Sequence, residues 1–263
     1  MNKIFTFLNQ RFWKILIKYT ISMDNFIFAN YVKIKLYKLI FANYIRNSEK
    51  ESLLKKEYLN KLISYIATFY SNPNFLCNPF LQKYLNTGIL MYQNPNQFSK
   101  YLLTLSKFNI KTYLEIGTFF GGSFITTVEY LMKLNPKFKY AVGIDVNYYI
   151  SMAIYADSNK KVRYLIMDSQ SLAFKNYINR SPNFDLIFID SDHSYEYCKR
   201  DFETVKGKAK MIALHDILEK EVDDVWKYIK DSYNNEYTFL EFTNQYLKDG
   251  KYMGIGLLIR KDF

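Results

Sequence analysis

The two histidines of this 263-residue chain, His193 and His215, each stand beside an aspartate just past a run of strand-like apolar residues. One segment reads Phe184-Asp185-Leu186-Ile187-Phe188-Ile189-Asp190-Ser191-Asp192-His193, the other Met211-Ile212-Ala213-Leu214-His215-Asp216. Histidine is the side chain that most readily acts as a base near neutral pH, and carboxylates hold metal ions or other cations. At the carboxyl ends of two buried strands of an open α/β sheet, such clusters converge on one crevice. That pattern predicts an active site.

A second candidate lies upstream, in Tyr113-Leu114-Glu115-Ile116-Gly117-Thr118-Phe119-Phe120-Gly121-Gly122-Ser123. Glycines between a strand and a helix let the backbone approach a ligand, with the helix N-terminus behind it. A dinucleotide fingerprint needs G-x-G-x-x-G, but Phe119 stands at the second glycine position and its bulk would block a pyrophosphate. A phosphate-binding loop needs G-x-x-x-x-G-K-[ST], and Ser123 stands where the lysine must be. What remains is E-x-G-x-x-x-G with an acid inside the strand. Further acids follow, Asp145 after Val142-Gly143-Ile144 and Asp168-Ser169 after the run 162–167.

The elements that must position these residues alternate from Thr112 onward. Strands are predicted at 112–116, 140–144, 162–166, 184–189 and 209–214, with helices at about 122–134, 148–157, 170–178, 195–206 and 219–232. Two more strands, 236–242 and 252–260, close the chain. Five βα units followed by a hairpin predict a mostly parallel sheet with an antiparallel C-terminal strand. Upstream, helical spacing is predicted over 4–19, 49–70 and 96–107, with Asn72-Pro73-Asn74 and Asn78-Pro79 as breaks. A repeat, Ile27–Lys33 and Ile40–Arg46, has an offset of 13 residues that places its copies on nearly opposite helix faces, so it reads as chance.

With its acid-bearing loop, the chain resembles the class I S-adenosylmethionine-dependent methyltransferases. The resemblance implies an α/β, Rossmann-like fold with a seven-stranded sheet. It implies that Glu115 faces the cationic methionyl end of the cofactor, while Gly117, Thr118, Gly121, Gly122 and Ser123 cradle it. Asp145 is then suited to the ribose hydroxyls, and Asp168 and Ser169 to the adenine. The stretch Phe184 to Glu196 is similar to the cephalosporin-hydroxylase-like proteins and the metal-dependent sugar O-methyltransferases, a methyltransferase family 24 type. In those, the aspartate ending strand four binds a divalent metal and a histidine three residues on is the general base; the matching residues here are Asp190 and His193. A second metal contact falls to Asp216, with His215 beside it. The sugar enzymes carry acidic residues at both of these last positions, so His215 is a softer ligand, a group behind the ligands, or only a hydrogen-bonding residue. Gln93, in Met91-Tyr92-Gln93-Asn94-Pro95, matches a segment expected to fold over the cofactor.

The chemistry agrees with this resemblance. A sugar hydroxyl is a poor nucleophile, and a hard cation (Mg²⁺ or Mn²⁺) with a neutral histidine would help to remove its proton. A small-molecule or glycan acceptor is expected. A phenolic or catechol acceptor at the same site is one alternative, and a non-catalytic cofactor-binding scaffold is another.

Composition bounds the rest. Hydrophobic residues at 49% and charged residues at 23% predict a folded globular chain. Residues 1–46 carry Lys3, Arg11, Lys14, Lys18, Lys33, Lys35, Lys38 and Arg46 against Asp24 alone, and so hold most of the net charge of +11. The remainder is only mildly basic, and no nucleic-acid partner is expected. A basic amphipathic stretch at 4–19 is compatible with peripheral contact at an anionic membrane, with packing on the domain, or with a homo-oligomer. Cys77 and Cys198 make no disulfide framework, the charged first 20 residues do not read as a signal peptide, and a cytoplasmic location is expected. The predicted layout is a basic helical extension over 1–50, a helical cap or linker over 51–110 and a methyltransferase domain over 111–263.

Overall fold

A computed structural model describes residues 42–65, 91–243 and 253–262. The predicted helix at 4–19 and the first copy of the short repeat lie outside these residues.

Seven strands form one sheet: β1 Thr112–Ile116, β2 Tyr140–Asp145, β3 Val162–Ile166, β4 Phe184–Ile189, β5 Ala209–His215, β6 Tyr237–Phe242 and β7 Ile255–Arg260. Their order is β3-β2-β1-β4-β5-β7-β6. The first five run parallel, and β7 lies antiparallel between β5 and β6. The fold is therefore Rossmann-like, as the alternation of elements predicts. The connections leave β1 toward β2 on one side while β4 lies on the other, which creates a crevice at their carboxyl ends.

Both sheet faces are covered. One core joins Tyr113, Leu186, Phe188, Met211 and Leu257 to helices α2 (Pro95–Leu105), α3 (Gly122–Leu134) and α4 (Ile150–Ser158). The other joins Leu114, Ile116, Ile187, Ile189 and Leu214 to α5 (Leu172–Arg180), α6 (Tyr195–Val205) and α7 (Lys220–Tyr233). Neighbouring residues of a strand thus point to opposite layers, and both layers are apolar because the parallel sheet is buried on both sides.

The predicted helix at 49–70 is interrupted. A single turn, Lys50–Leu53, is followed by α1, Lys56–Tyr65. Its residues Leu59 and Ile63 enter the first core beside the strands. The predicted helix at 96–107 begins one residue earlier, because Asn94 caps it: its side chain accepts from the Asn96 and Gln97 amides, with Pro95 in the first turn. Upstream, Arg46 donates to both carboxylate oxygens of the buried Glu129 on α3, at 2.8 and 2.5 Å, and Tyr155 on α4 donates to the same carboxylate. This ties residues 42–47, which are helical, to α3, with α4 sharing the same carboxylate. No helix among the described residues is long and apolar enough to cross a membrane.

Candidate functional site

Strand register assembles the site. Ile116 pairs with Ile144 on one side and Ile189 on the other, and Ile189 pairs with Leu214. The next residue of each strand therefore emerges at one level, so Asp145, Gly117, Asp190 and His215 form a row across the crevice. Gly117 is required there twice over. Its φ is +85°, and a Cβ at that position would sit 2.0 Å from the Asp190 carbonyl oxygen. Asp190 in turn donates its amide to the Ile116 carbonyl at 2.8 Å.

A cavity of about 470 Å³ opens at this row, lined by Gly117, Asp145, Asp168, Ser169, Asp190 and Ser191 among others. That size suits a small organic ligand or cofactor. Asp145 accepts the Phe119 amide on one oxygen and the Asn147 amide on the other, both within 2.9 Å, leaving one lone pair on each oxygen for a ligand. Phe119 adopts φ +48°, a left-handed conformation uncommon outside glycine, at the position where a dinucleotide fold would need glycine. Its ring packs on Tyr92, Phe120 and Tyr149 and makes an aromatic wall to the cavity.

The other loop residues lie behind that wall. Glu115 is fully buried on the α3 side of β1, accepting from Tyr113 and, at 2.6 Å, from the Ser123 hydroxyl. Burial pushes its pKa up to about 8, although both hydroxyls favour the ionised form. Gly121, at φ +92°, caps α3 against Met152, and Gly122 opens the helix; neither lines the cavity. The Thr118 hydroxyl is buried without a hydrogen-bond partner among the described residues. Glu115, Thr118, Gly121, Gly122 and Ser123 therefore shape the loop, while Gly117, Asp145, Asp168 and Ser169 reach the space it encloses.

A second group adjoins the cavity at Asp190. Asp190, His193 and Asp216 bring one ligand-type atom each to within 4.8 Å of one another. His193 Nε2 lies 3.2 Å from Asp216 Oδ2 and 3.6 Å from Asp190 Oδ1, spacings expected of donors around a common small cation. The Oδ1 atom of Asp216 is buried without a partner among the described residues, and Asp216 holds φ +59°. These acceptors fit a divalent ion. His215 contributes differently. Its Nδ1 lies 3.1 Å from Asp190 Oδ1 and 3.1 Å from Asp216 Oδ2, joining the two carboxylates. Burial disfavours its cation, but the two carboxylates outweigh that and hold its pKa well above the ordinary value. The same partners raise His193, where the hydrogen bond to Asp190 leads. Gln93, although 97 residues away in sequence, donates its side-chain amide to Asp190 Oδ2 at 3.1 Å and is itself buried. Asp190 is thus gripped from both sides.

Residues 114–217 match the methyltransferase domain of family 24. This segment, less than half of the chain, is similar to a methyltransferase domain. An uncharacterized protein of Acanthamoeba polyphaga mimivirus is 36% identical over 103 residues, 35% of this chain and 43% of that protein. The chain thus spans less than half the length of this relative. Among solved structures, the O-methyltransferase from Bacillus cereus in complex with S-adenosylhomocysteine is 15% identical, covers 78% of this chain and all of its own, and gives a TM-score of 0.52. A caffeoyl-CoA O-methyltransferase candidate from Staphylococcus aureus is 16% identical, covering 69% of this chain and 90% of its own, with a TM-score of 0.50. Both share the fold of the methyltransferase domain.

Several residues that shape the domain's site are not singled out by the sequence reasoning. Ser191 and Tyr197 line the cavity, and Tyr92 supports its aromatic wall. Asp201 on α6 is fully buried and accepts from Ser169, Ser191 and Gln170. A signal for it existed. Cys198, Phe202 and Val205 make the buried face of α6, and Asp201 sits on that face as the one carboxylate among them.

Proposed function

We propose that the protein is an S-adenosylmethionine-dependent O-methyltransferase that uses a divalent metal to methylate a hydroxyl of a sugar, in a glycan or glycosylated metabolite. One observation carries this reading. Asp190 both lines the nucleoside-sized cavity and belongs to the Asp190–His193–Asp216 cluster, so methyl donor and hydroxyl would meet on either side of one carboxylate.

S-adenosylmethionine would supply an electrophilic methyl group on sulfur, and the cavity residues would fix where that methyl points. Asp145 would hold the ribose hydroxyls with its free lone pairs, and Asp168 with Ser169 would meet the base. A divalent ion would lower the pKa of the acceptor hydroxyl. Asp190 and Asp216 would hold that ion. His193, half exposed on the open side of the cluster, would take the hydroxyl proton as the new carbon–oxygen bond forms and the sulfur–carbon bond breaks. In-line attack makes positioning a large share of the acceleration, and Gln93 and His215 would serve it by fixing Asp190 from opposite sides.

The distances of 3.2 and 3.6 Å from His193 Nε2 to the carboxylates also suit a third metal ligand, a second reading of the same residue. The test is methyl transfer to a panel of glycans, glycosides and catechols, with chelator and after restoring Mg²⁺ or Mn²⁺. Chelator-sensitive methylation of a glycan or glycoside is expected. Transfer restricted to catechols would replace the acceptor class, full activity in chelator would remove the metal, and no binding of S-adenosylhomocysteine would end the reading.

A further inference from the structure

Strands β1 to β5 all begin at one end of the sheet, so the loops that lead into them form a face opposite the cavity. Three of these loops enter the neighbouring strands β3, β2 and β1, and each carries two lysines: Lys160 and Lys161, Lys137 and Lys139, Lys107 and Lys111. No acid stands in 106–111, 135–139 or 159–161. Hydrogen bonds stitch the loops together. The Asn135 side chain donates to Asn109 Oδ1 at 3.0 Å and to the Ile110 carbonyl at 2.7 Å. The Lys139 amide donates to the Lys111 carbonyl and Lys161 Nζ to the Phe138 carbonyl, both at 2.8 Å. Six lysines thus share one contiguous surface. Lys107, Lys137, Lys139 and Lys160 are exposed, with no ion-pair partner among the described residues. Asp185, which also faces this end, is held by Lys210 Nζ at 2.9 Å and by the Lys111 and Thr112 amides. Asp157, in the last turn of α4, offsets one of the six charges. Helix C-termini favour cations within their last turn, which accounts for Lys133 on α3 but not for paired lysines in the loops beyond. The loops that follow the same five strands are the reverse, with Asp168, Asp190, Asp192, Asp216 and Glu219 and no Lys or Arg. The upstream chain joins the basic end. Lys133 Nζ donates to the Arg46 carbonyl at 2.7 Å, and residues 1–41 carry seven cations against Asp24 alone.

We propose that this lysine face is a docking surface for a membrane leaflet containing anionic phospholipid, which leaves the cavity mouth at the other end of the sheet open to the aqueous side. Lysines on flexible stems neutralise a diffuse anionic surface without needing partners in fixed positions. Nucleic acid suits the face less well, because its three loops offer no exposed aromatic ring on which a base could stack: Phe138 is buried and Phe108 half-buried. The five residues of β1 separate the two ends by roughly 16 Å. That is about twice the Debye length at physiological salt, so the acids of the mouth do not cancel the attraction at the lysines.

The experiment is sedimentation of the full chain with vesicles of phosphatidylcholine alone and of equal parts phosphatidylcholine and phosphatidylglycerol, at low and high salt. Binding to the anionic vesicles alone, and release in high salt, are expected. Each lysine at such a surface strengthens binding by about fivefold, so Lys107→Gln, Lys137→Gln, Lys139→Gln and Lys160→Gln combined are expected to weaken it by about 10²-fold or more. A control, Lys175→Gln, Arg200→Gln, Lys220→Gln and Lys227→Gln, removes the same charge from exposed positions on α5, α6 and α7, and is expected to stay within about threefold of the wild type. Thermal unfolding shows whether the variants fold. Should the fourfold lysine variant not fold, its two halves, Lys107→Gln with Lys137→Gln and Lys139→Gln with Lys160→Gln, are each expected to weaken binding by about tenfold or more. Wild-type affinity in the folded lysine variants overturns the proposal, as does an equal loss in the control. Failure of the wild type to sediment with anionic vesicles overturns it as well, and a preference for oligouridylate over those vesicles would assign the face to nucleic acid instead.

Discussion

His215 Nδ1 lies 3.1 Å from an oxygen of Asp190 and 3.1 Å from an oxygen of Asp216, so a single buried imidazole fixes the separation of two carboxylates from neighbouring strand ends. Groups that orient metal-binding carboxylates from behind commonly govern affinity as strongly as ligands do. His215→Ala is expected to weaken Mn²⁺ binding by about 10–100-fold, with S-adenosylhomocysteine binding little changed. Titration calorimetry with each ligand separately checks this; unaltered Mn²⁺ affinity would show that the imidazole positions nothing.

His193→Ala is expected to lower methyl transfer by about 10²–10⁴-fold while Mn²⁺ affinity changes little, the signature of a lost base. Paired measurements of kcat and metal binding decide it. A parallel loss of Mn²⁺ affinity would instead assign His193 to the metal.

Gly117→Ala places a methyl group 2.0 Å from the Asp190 carbonyl oxygen at a φ of +85°. The expected cost is roughly 3 kcal/mol or more, because backbone must move and strain adds to the clash. Gly207→Ala, where nothing lies within 4 Å, is the control and is expected to stay within about 1 kcal/mol. Urea unfolding of both variants measures the difference.

Glu115 makes stability depend on pH. Its folded pKa of about 8 lies above its ordinary value of 4.5, so the folded state holds the proton more tightly than the unfolded chain. This contribution is complete below about pH 4.5 and is lost as pH rises through 8. Relative to Glu115→Gln, the wild type is expected to lose on the order of a few kcal/mol between pH 5 and 9. Parallel urea curves for both proteins across that range would expose a flat difference, which contradicts the assignment.

The upstream helical segment depends on Arg46. Removing that guanidinium leaves the carboxylate of Glu129, 1% exposed, with Tyr155 as its remaining hydrogen-bond donor among the described residues. Because Arg46 is itself partly exposed, Arg46→Ala is expected to cost about 1–3 kcal/mol rather than the full penalty of a buried charge. Limited proteolysis is expected to cut first within 42–65, and cleavage elsewhere at the same rate would detach the segment from this ion pair.

How far the sequence reaches is visible in particular residues. Strand limits such as 112–116 and 184–189 are legible to the residue, because apolar β runs are bounded by turn signals on both sides. The acids Asp145 and Asp190 are legible for the same reason, since Asp145 ends β2 and Asp190 follows the last residue of β4. Glu115 is different. Both faces of β1 are apolar, so alternation tells that Glu115 shares a face with Tyr113 but not which layer covers that face. The loop residues Gly121, Gly122 and Ser123 are likewise recognisable as a turn, while their facing follows from how α3 packs on α4.

The amino-acid sequence by itself determined the alternation of elements, the Rossmann-like class and the residues standing at strand ends, because these follow from local periodicity and turn chemistry. Tertiary structure alone decided which of those residues meet. Strand register set Asp190, His193 and Asp216 around one point, left His215 between the carboxylates, and brought Gln93 across 97 residues to the same aspartate. It also buried Asp201 behind two serines from different strand ends. Such contacts depend on crossover geometry and side-chain direction, which no window of sequence contains.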